Sequence, residues 1–119
     1  IVVDTNCPPN DAWRDYVSAS ERFDPFQFQQ QPKLKHMARK MPASDSCGEF
    51  IGLIKTSKAG SECIKTALET WSPALRERMR MPDLLNQLDC DIDILYVQGS
   101  WLDINTFSDW ESATELHDQ

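Results

Sequence analysis

Gly48-Glu49-Phe50-Ile51-Gly52-Leu53-Ile54-Lys55 is the stretch on which the fold turns. It is apolar and β-branched, with almost no polar alternation. A strand of that kind is normally buried on both faces. An amphipathic helix is expected directly after it. Ser57 suits the N-cap, and Ala59, Cys63, Ile64, Ala67, Leu68 and Trp71 fall on one stripe at helical spacing. A buried strand running into an amphipathic helix is the basic unit of an α/β protein.

Outward from that unit, Ile1-Val2-Val3 predicts a short core strand ending at Asp4, cut open in a way expected of a piece of a longer protein. Asp11 to Ala19 predicts a helix capped by Asn10, with Trp13 and Val17 on one face. Ser20 to Pro32, with three phenylalanines and four glutamines, predicts an irregular excursion. Lys33 to Lys40 predicts a strand through Leu34 and Met37, and Met41 to Ser46 a turn. Pro73 and Pro82 each open a helical stretch, to Arg80 and Leu88. Strands are expected at Ile92–Val97 and Trp101–Ile104. Thr106 and Asp109 set a capping box for a last helix whose inner face is Phe107, Trp110, Ala113 and Leu116. The expected order is β-α-β-β-α-α-β-β-α: a mixed sheet with flanking helices, in one partial domain spanning residues 1–119.

Composition narrows the function. Twelve basic against 19 acidic side chains give a net charge of −7, which disfavours nucleic acid and anionic membranes as partners. No apolar run approaches the roughly 20 residues that span a bilayer. Cys7, Cys47, Cys63 and Cys90 lack metal-ligand spacing, and His36 and His117 are not near them. Small buried thiols in a reducing cytoplasm are the expectation. No two of the glycines at 48, 52, 60 and 99 form a phosphate-cradling Gly-x-Gly turn.

The chemistry-bearing candidate is Gly99-Ser100-Trp101-Leu102-Asp103-Ile104-Asn105-Thr106. On a strand, Leu102 and Ile104 would face the core, and Trp101, Asp103 and Asn105 would share the other face. The Asp103 and Asn105 oxygens would then sit about 7 Å apart. Both are hard donors of the kind magnesium takes, with water and phosphate completing its shell. The plainer reading is a strand-end turn and helix cap. Asp89, Asp91 and Asp93 alternate along a strand entry and suit an acidic edge that repels pairing. The Arg76, Arg78, Arg80 set and the Lys33, Lys35, Arg39, Lys40 cluster suit solvated faces, although one of the latter cluster would serve to neutralise a phosphate.

Gly48-Glu49-Phe50-Ile51-Gly52-Leu53-Ile54-Lys55 with its following helix, and Gly99 to Thr106 with the last helix, resemble two segments of the sugar-phosphate-type nucleotidyltransferases. The nearest resemblance is to the cytidylyltransferases acting on phosphocholine or aminoalkylphosphonates, including domains fused to phosphoenolpyruvate phosphomutase. The segments stand in the family's order, about 50 residues apart. The second resembles the family's second metal motif, Trp-x-Glu/Asp-Ile-Asp. The resemblance covers nearly the whole chain and implies the carboxyl-terminal half of a Rossmann-like nucleotidyltransferase domain. It implies attack by a phosphate or phosphonate oxygen on the α-phosphorus of a nucleoside triphosphate, CTP by analogy, with release of pyrophosphate. It further implies Mg2+ held by Asp103 and by Asn105, which stands where the family often has Asp. Lys40 would contact substrate or α-phosphate, with Lys35 as fallback, and Glu49 and Trp101 would belong to the substrate pocket. The family's Gly-rich loop and first metal aspartate do not occur here, so the chain on its own is expected to be a poor catalyst. The competing expectation is a non-catalytic binding or assembly domain that keeps the half-fold.

Overall fold

The computed structural model describes residues 1–7, 13–99 and 101–117, with the backbone alone at 116 and 117. The elements run β1 (Val2–Asp4), β2 (Tyr16–Ala19), β3 (Leu34–Ala38), β4 (Gly48–Phe50), α1 (Lys58–Glu69), α2 (Pro73–Arg78), α3 (Met81–Gln87), β5 (Leu95–Val97) and α4 (Phe107–His117). The five strands form one mixed sheet in the order β3-β2-β4-β1-β5, in which only the β1–β5 pair is parallel. The α/β class therefore matches the sequence; α3 makes a third helix after β4 where the expected order counted two, and the order differs in two further places.

Tyr16–Ala19 is a strand where helical spacing predicted a helix. Val17 pairs with Met37 on one side and Gly48 on the other, so this backbone is used by two neighbours. Tyr16, Val17 and Ala19 are buried. Tertiary pairing overrides the local periodicity. The proposed cap, Asn10, lies outside the described residues. The second difference is at Trp101–Ile104, where no strand forms; β5 ends at Val97 and the chain is irregular until α4. β4 is also shorter than the apolar run suggests. All three of its residues are buried, but Gly52 takes a positive φ of 89°, and past Phe50 the contact with β1 is irregular, with Val2 N donating to Leu53 O at 3.2 Å.

Register sorts the sheet into two faces. Val3, Phe50 and Tyr96 share a row, and Val17 and Met37 pair one step above. With Ala19, Leu85 of α3 and Ile94 they form the core. Asp4, Glu49, Tyr16, Ala38 and Val97 form a single row on the opposite face. α1 packs on α3 rather than on the sheet, and Trp71 Nε1 donates to Gln87 Oε1 at 2.9 Å to join their ends. Of the arginines predicted as a solvated face, Arg76 donates to carbonyls at and just past the end of α1, those of Leu68 and Trp71. Arg80 pairs with Asp15, leaving Arg78 exposed.

Parts of both sheet edges find partners. Asn86 of α3 docks on the outer edge of β3, accepting from Met37 N and donating to Met37 O, each at 2.8 Å. The start of β3 meets the run into β5: Leu34 N donates to Ile92 O and Ile94 N to Pro32 O, both at 2.9 Å. Lys33 and Asp93 form the bridge between these edges, and their side chains are ion-paired. The acidic entry to β5 therefore pairs where an edge that repels pairing was expected, because Lys33 supplies the opposite charge.

Gly48 is required by space. A Cβ there would stand 2.4 Å from Asp4 O and 2.8 Å from Val3 Cγ1, at a φ of 152°. Gly48→Ala should cost at least about 2 kcal/mol, read as a lower urea midpoint. Gly52→Ala, where an added Cβ meets nothing within 4 Å, should cost about 1 kcal/mol.

The Lys33–Asp93 clasp has a definite pH window. The hydrogen bond to Lys33 and then its charge hold Asp93 below its ordinary value, while the same bond holds Lys33 above its own. The Asp93 contribution is present above the ordinary carboxylate pKa and lost as pH falls through the depressed one. The Lys33 contribution is present below the ordinary lysine pKa and lost as pH rises through the raised one. Protection of the Leu34 and Ile94 amides, relative to their intrinsic exchange rates, should fall at both extremes, and Asp93→Asn should remove both falls.

Candidate functional site

The polar row on the second face contains two buried acids, Asp4 at 3% and Glu49 at 4% exposure. They are direct cross-strand partners. Like charges so placed repel, and the surrounding residues offset this with donors. Asp4 Oδ1 accepts from Asn6 N at 2.9 Å and from Gly99 N at 2.8 Å, and Oδ2 accepts from Trp101 Nε1 at 2.5 Å. Gly99 reaches its position with a φ of 71°. Glu49 is ion-paired with Arg14. Tyr16, the register partner of Glu49, is buried beside it.

This cluster lies where the parallel pair ends. Thr5 N donates to Val97 O at 2.9 Å, so the segments leaving β1 and β5 start side by side. A cleft of about 310 Å³ opens at this end, lined in part by Thr5, Cys7, Tyr16, Arg22, Cys47 and Gly48. Arg22 shapes its wall by donating to the carbonyls of Ser44 and of Ser46, the latter at 2.7 Å. Burial, followed by the charges of Glu49 and Asp4, pushes the Cys7 thiol above its ordinary pKa. Such a shift lowers the thiolate fraction on which nucleophilicity depends.

Two of the sequence-derived site residues come together here: Trp101 binds Asp4, and Glu49 sits opposite it. Asp103 and Asn105 are exposed on the irregular segment that Trp101 anchors, and their side chains make no hydrogen bond or ion pair among the described residues. Lys40 is exposed in the bend after β3, with no side-chain bond tying it to Asp4, Glu49 or Asp103. The capping box forms as expected, with Thr106 N donating to Asp109 Oδ2 at 2.8 Å and Asp109 N to Thr106 Oγ1 at 3.2 Å. The expected inner face of α4 is not inward: Phe107 is 69% and Trp110 58% exposed. The chain before α4 runs free of the sheet beyond Trp101, so nothing draws that face onto the core. Leu116 has no described side chain.

Asp4 and Arg14 were missed as site residues. Asp4 ends an apolar run, which marks it as a buried strand terminus, but its partners lie 95 and 97 positions away. Among the described residues no three His, Cys, Asp or Glu side chains gather into a metal-holding group, and no helix is long and apolar enough to cross a membrane. Comparison of the chain with protein-family models, with curated proteins and with solved structures returned no match.

Breaking the Arg14–Glu49 pair tests whether the cluster is a unit. Arg14→Met should destabilise by about 3 kcal/mol, because a buried carboxylate loses its charged partner. Glu49→Gln in the same chain should recover part of that loss in thermal unfolding, which a mere packing defect at Arg14 would not allow.

Proposed function

We propose that the chain is the acceptor-side half of a magnesium-dependent nucleotidyltransferase. One observation carries the reading. Asp4, at the carboxyl end of β1, holds both Gly99 N and the Trp101 indole, and so fixes the start of Trp-Leu-Asp-Ile-Asn on the rim where β1 and β5 end. Crevices outside the carboxyl ends of parallel strands are where open α/β sheets take ligands. The cleft opens on the same rim.

The donor set fits magnesium in a limited sense. The oxygens of Asp4 are engaged by three N–H groups and Glu49 faces Arg14, so neither is left to be a ligand. Asp103 and Asn105 present hard oxygens to solvent, and magnesium commonly takes one or two such protein ligands besides water and phosphate. When bound, the ion supplies neutralisation of phosphate charge. Trp101 positions Asp103 by its bond to Asp4. Glu49 holds Arg14 in place, and Lys40 meets an anionic group of the substrate. An acceptor phosphate or phosphonate oxygen forms the bond to the α-phosphorus as the bond to pyrophosphate breaks. CTP is the donor expected from the resemblance.

The non-catalytic alternative has its own support in the exposed Phe107 and Trp110 face of α4, which suits assembly with another chain.

The test is pyrophosphate release by the chain with its native upstream sequence, with magnesium, each nucleoside triphosphate, and phosphocholine, an aminoalkylphosphonate or a sugar phosphate as acceptor. One pair should be turned over, and Asp103→Ala should slow it about 100-fold. Trp101→Phe should lower the rate less and raise the magnesium requirement. No release from any pair, with self-association lost on Trp110→Ser, would favour assembly. Equal release with and without Asp103 would remove the metal assignment.

A further inference from the structure

Among the described residues that line the rim cleft, Arg22 alone carries a charge. Its guanidinium is fixed by donating to the carbonyls of Ser44 and Ser46. Its own carbonyl accepts from Gln30 Nε2 at 2.5 Å. Arg14, Arg39 and Arg80 each face a carboxylate, but no carboxylate pairs with Arg22 among the described residues. A guanidinium has five N–H donors in a planar fork that matches phosphate oxygens. The two carbonyls take one donor from each terminal nitrogen, and the rest stay open at the mouth of the cleft.

The wall beside Arg22 is apolar and already in place. Phe23 stands edge-on to Tyr96, with ring centroids 6.1 Å apart, and Tyr96 Oη donates to Glu21 O at 2.6 Å. Phe23, Tyr16 and Met41 face the cleft together. Asp4 and Glu49 are close by, but neither is among the described lining residues. An anion at Arg22 therefore meets no carboxylate oxygen of the described lining.

We propose that the cleft is a binding site for a small organic phosphonate or phosphate monoester, with Arg22 as the residue that takes the anionic group. The organic body lies against Phe23, Tyr16 and Met41. Calling this ligand the acceptor rests on the nucleotidyltransferase reading; the binding itself does not. The phosphorus oxygens then sit at the mouth, open to a reaction partner, and the body points inward. Inorganic phosphate leaves the apolar wall unused, so each methylene of the body should tighten binding about fourfold.

The cleft carries its own reporters. Cys7 and Cys47 line it, whereas Cys63 is on α1 and Cys90 follows α3. The experiment measures alkylation of each cysteine of the whole chain by iodoacetamide, read by peptide mass. It is run without magnesium or nucleotide, at mildly alkaline pH because the Cys7 thiol is pushed up. The probes are propylphosphonate, inorganic phosphate and propanol. Propylphosphonate should slow labelling of Cys7 and Cys47 and leave Cys63 and Cys90 unchanged. Phosphate should need a higher concentration, and propanol at the same concentration should do nothing.

Two variants separate the parts of the site. Arg22→Gln should weaken both anions about tenfold or more, and Phe23→Ala should weaken propylphosphonate but not phosphate. Unliganded labelling rates at Cys7 and Cys47 should match those of the unaltered chain in both, which a collapsed cleft would not allow. Arg22→Lys should keep part of the protection. No protection by propylphosphonate, equal slowing of all four cysteines, or full protection in Arg22→Gln would overturn the proposal. So would equal protection by phosphate and propylphosphonate. With the native upstream sequence present, Arg22→Gln should raise the acceptor KM and leave the nucleotide KM unchanged. If no pair is turned over while the protection holds, the enzyme reading fails and the binding site stands. Turnover with an unchanged acceptor KM in Arg22→Gln would remove Arg22 from the acceptor site.

Discussion

The Asp4 carboxylate is the constraint on which the rest of the structure depends. A buried carboxylate is costly unless its lone pairs are filled, and here one N–H group two residues on and two from the far end of the chain fill them. Meeting that requirement brings the Asn6 turn, the Gly99 turn and the Trp101 indole to one point. The parallel β1–β5 pairing ends at this point, and Gly48 makes its close approach to the Asp4 carbonyl. Glu49, directly opposite, repeats the logic with a guanidinium in place of backbone N–H groups.

The second face of the sheet is therefore polar but not open. Its acids are engaged in holding loops rather than in waiting for a ligand. The oxygens left free are on the segment those loops present, at Asp103 and Asn105. A buried layer that fixes geometry and an exposed layer that meets solvent is a division commonly needed by a site that must hold its ligand groups in place.

The parts of the fold legible in the sequence are those set by local chemistry. Ser57 caps α1 and accepts from Gly60 N as its position implies, Pro73 and Pro82 lie in the first turns of α2 and α3, and Thr106 with Asp109 starts α4. The apolar Gly-Glu-Phe run is a fully buried strand. What was not legible depends on partners far along the chain. The strand at Tyr16–Ala19 exists because β3 and β4 flank it, and its own spacing fits a helix equally well. The Lys33–Asp93 clasp needs charges 60 positions apart. Glu49 and Trp101 both stand in the stretches the sequence singled out, but the residue that both adjoin, Asp4, reads there as the end of an ordinary strand.

The pairing of β1 has a consequence for how the molecule is made. Its neighbours, β4 and β5, begin at residues 48 and 95, so β1 leaves the ribosome well before it can find both partners. At about 5–20 residues per second, translation leaves β1 without its second neighbour for several seconds. Contacts of such sequence separation also make for slow closure once the chain is complete. Nascent Ile1-Val2-Val3 is then an apolar strand with unpaired edges, a natural target for a holding chaperone until Tyr96 and Val97 emerge.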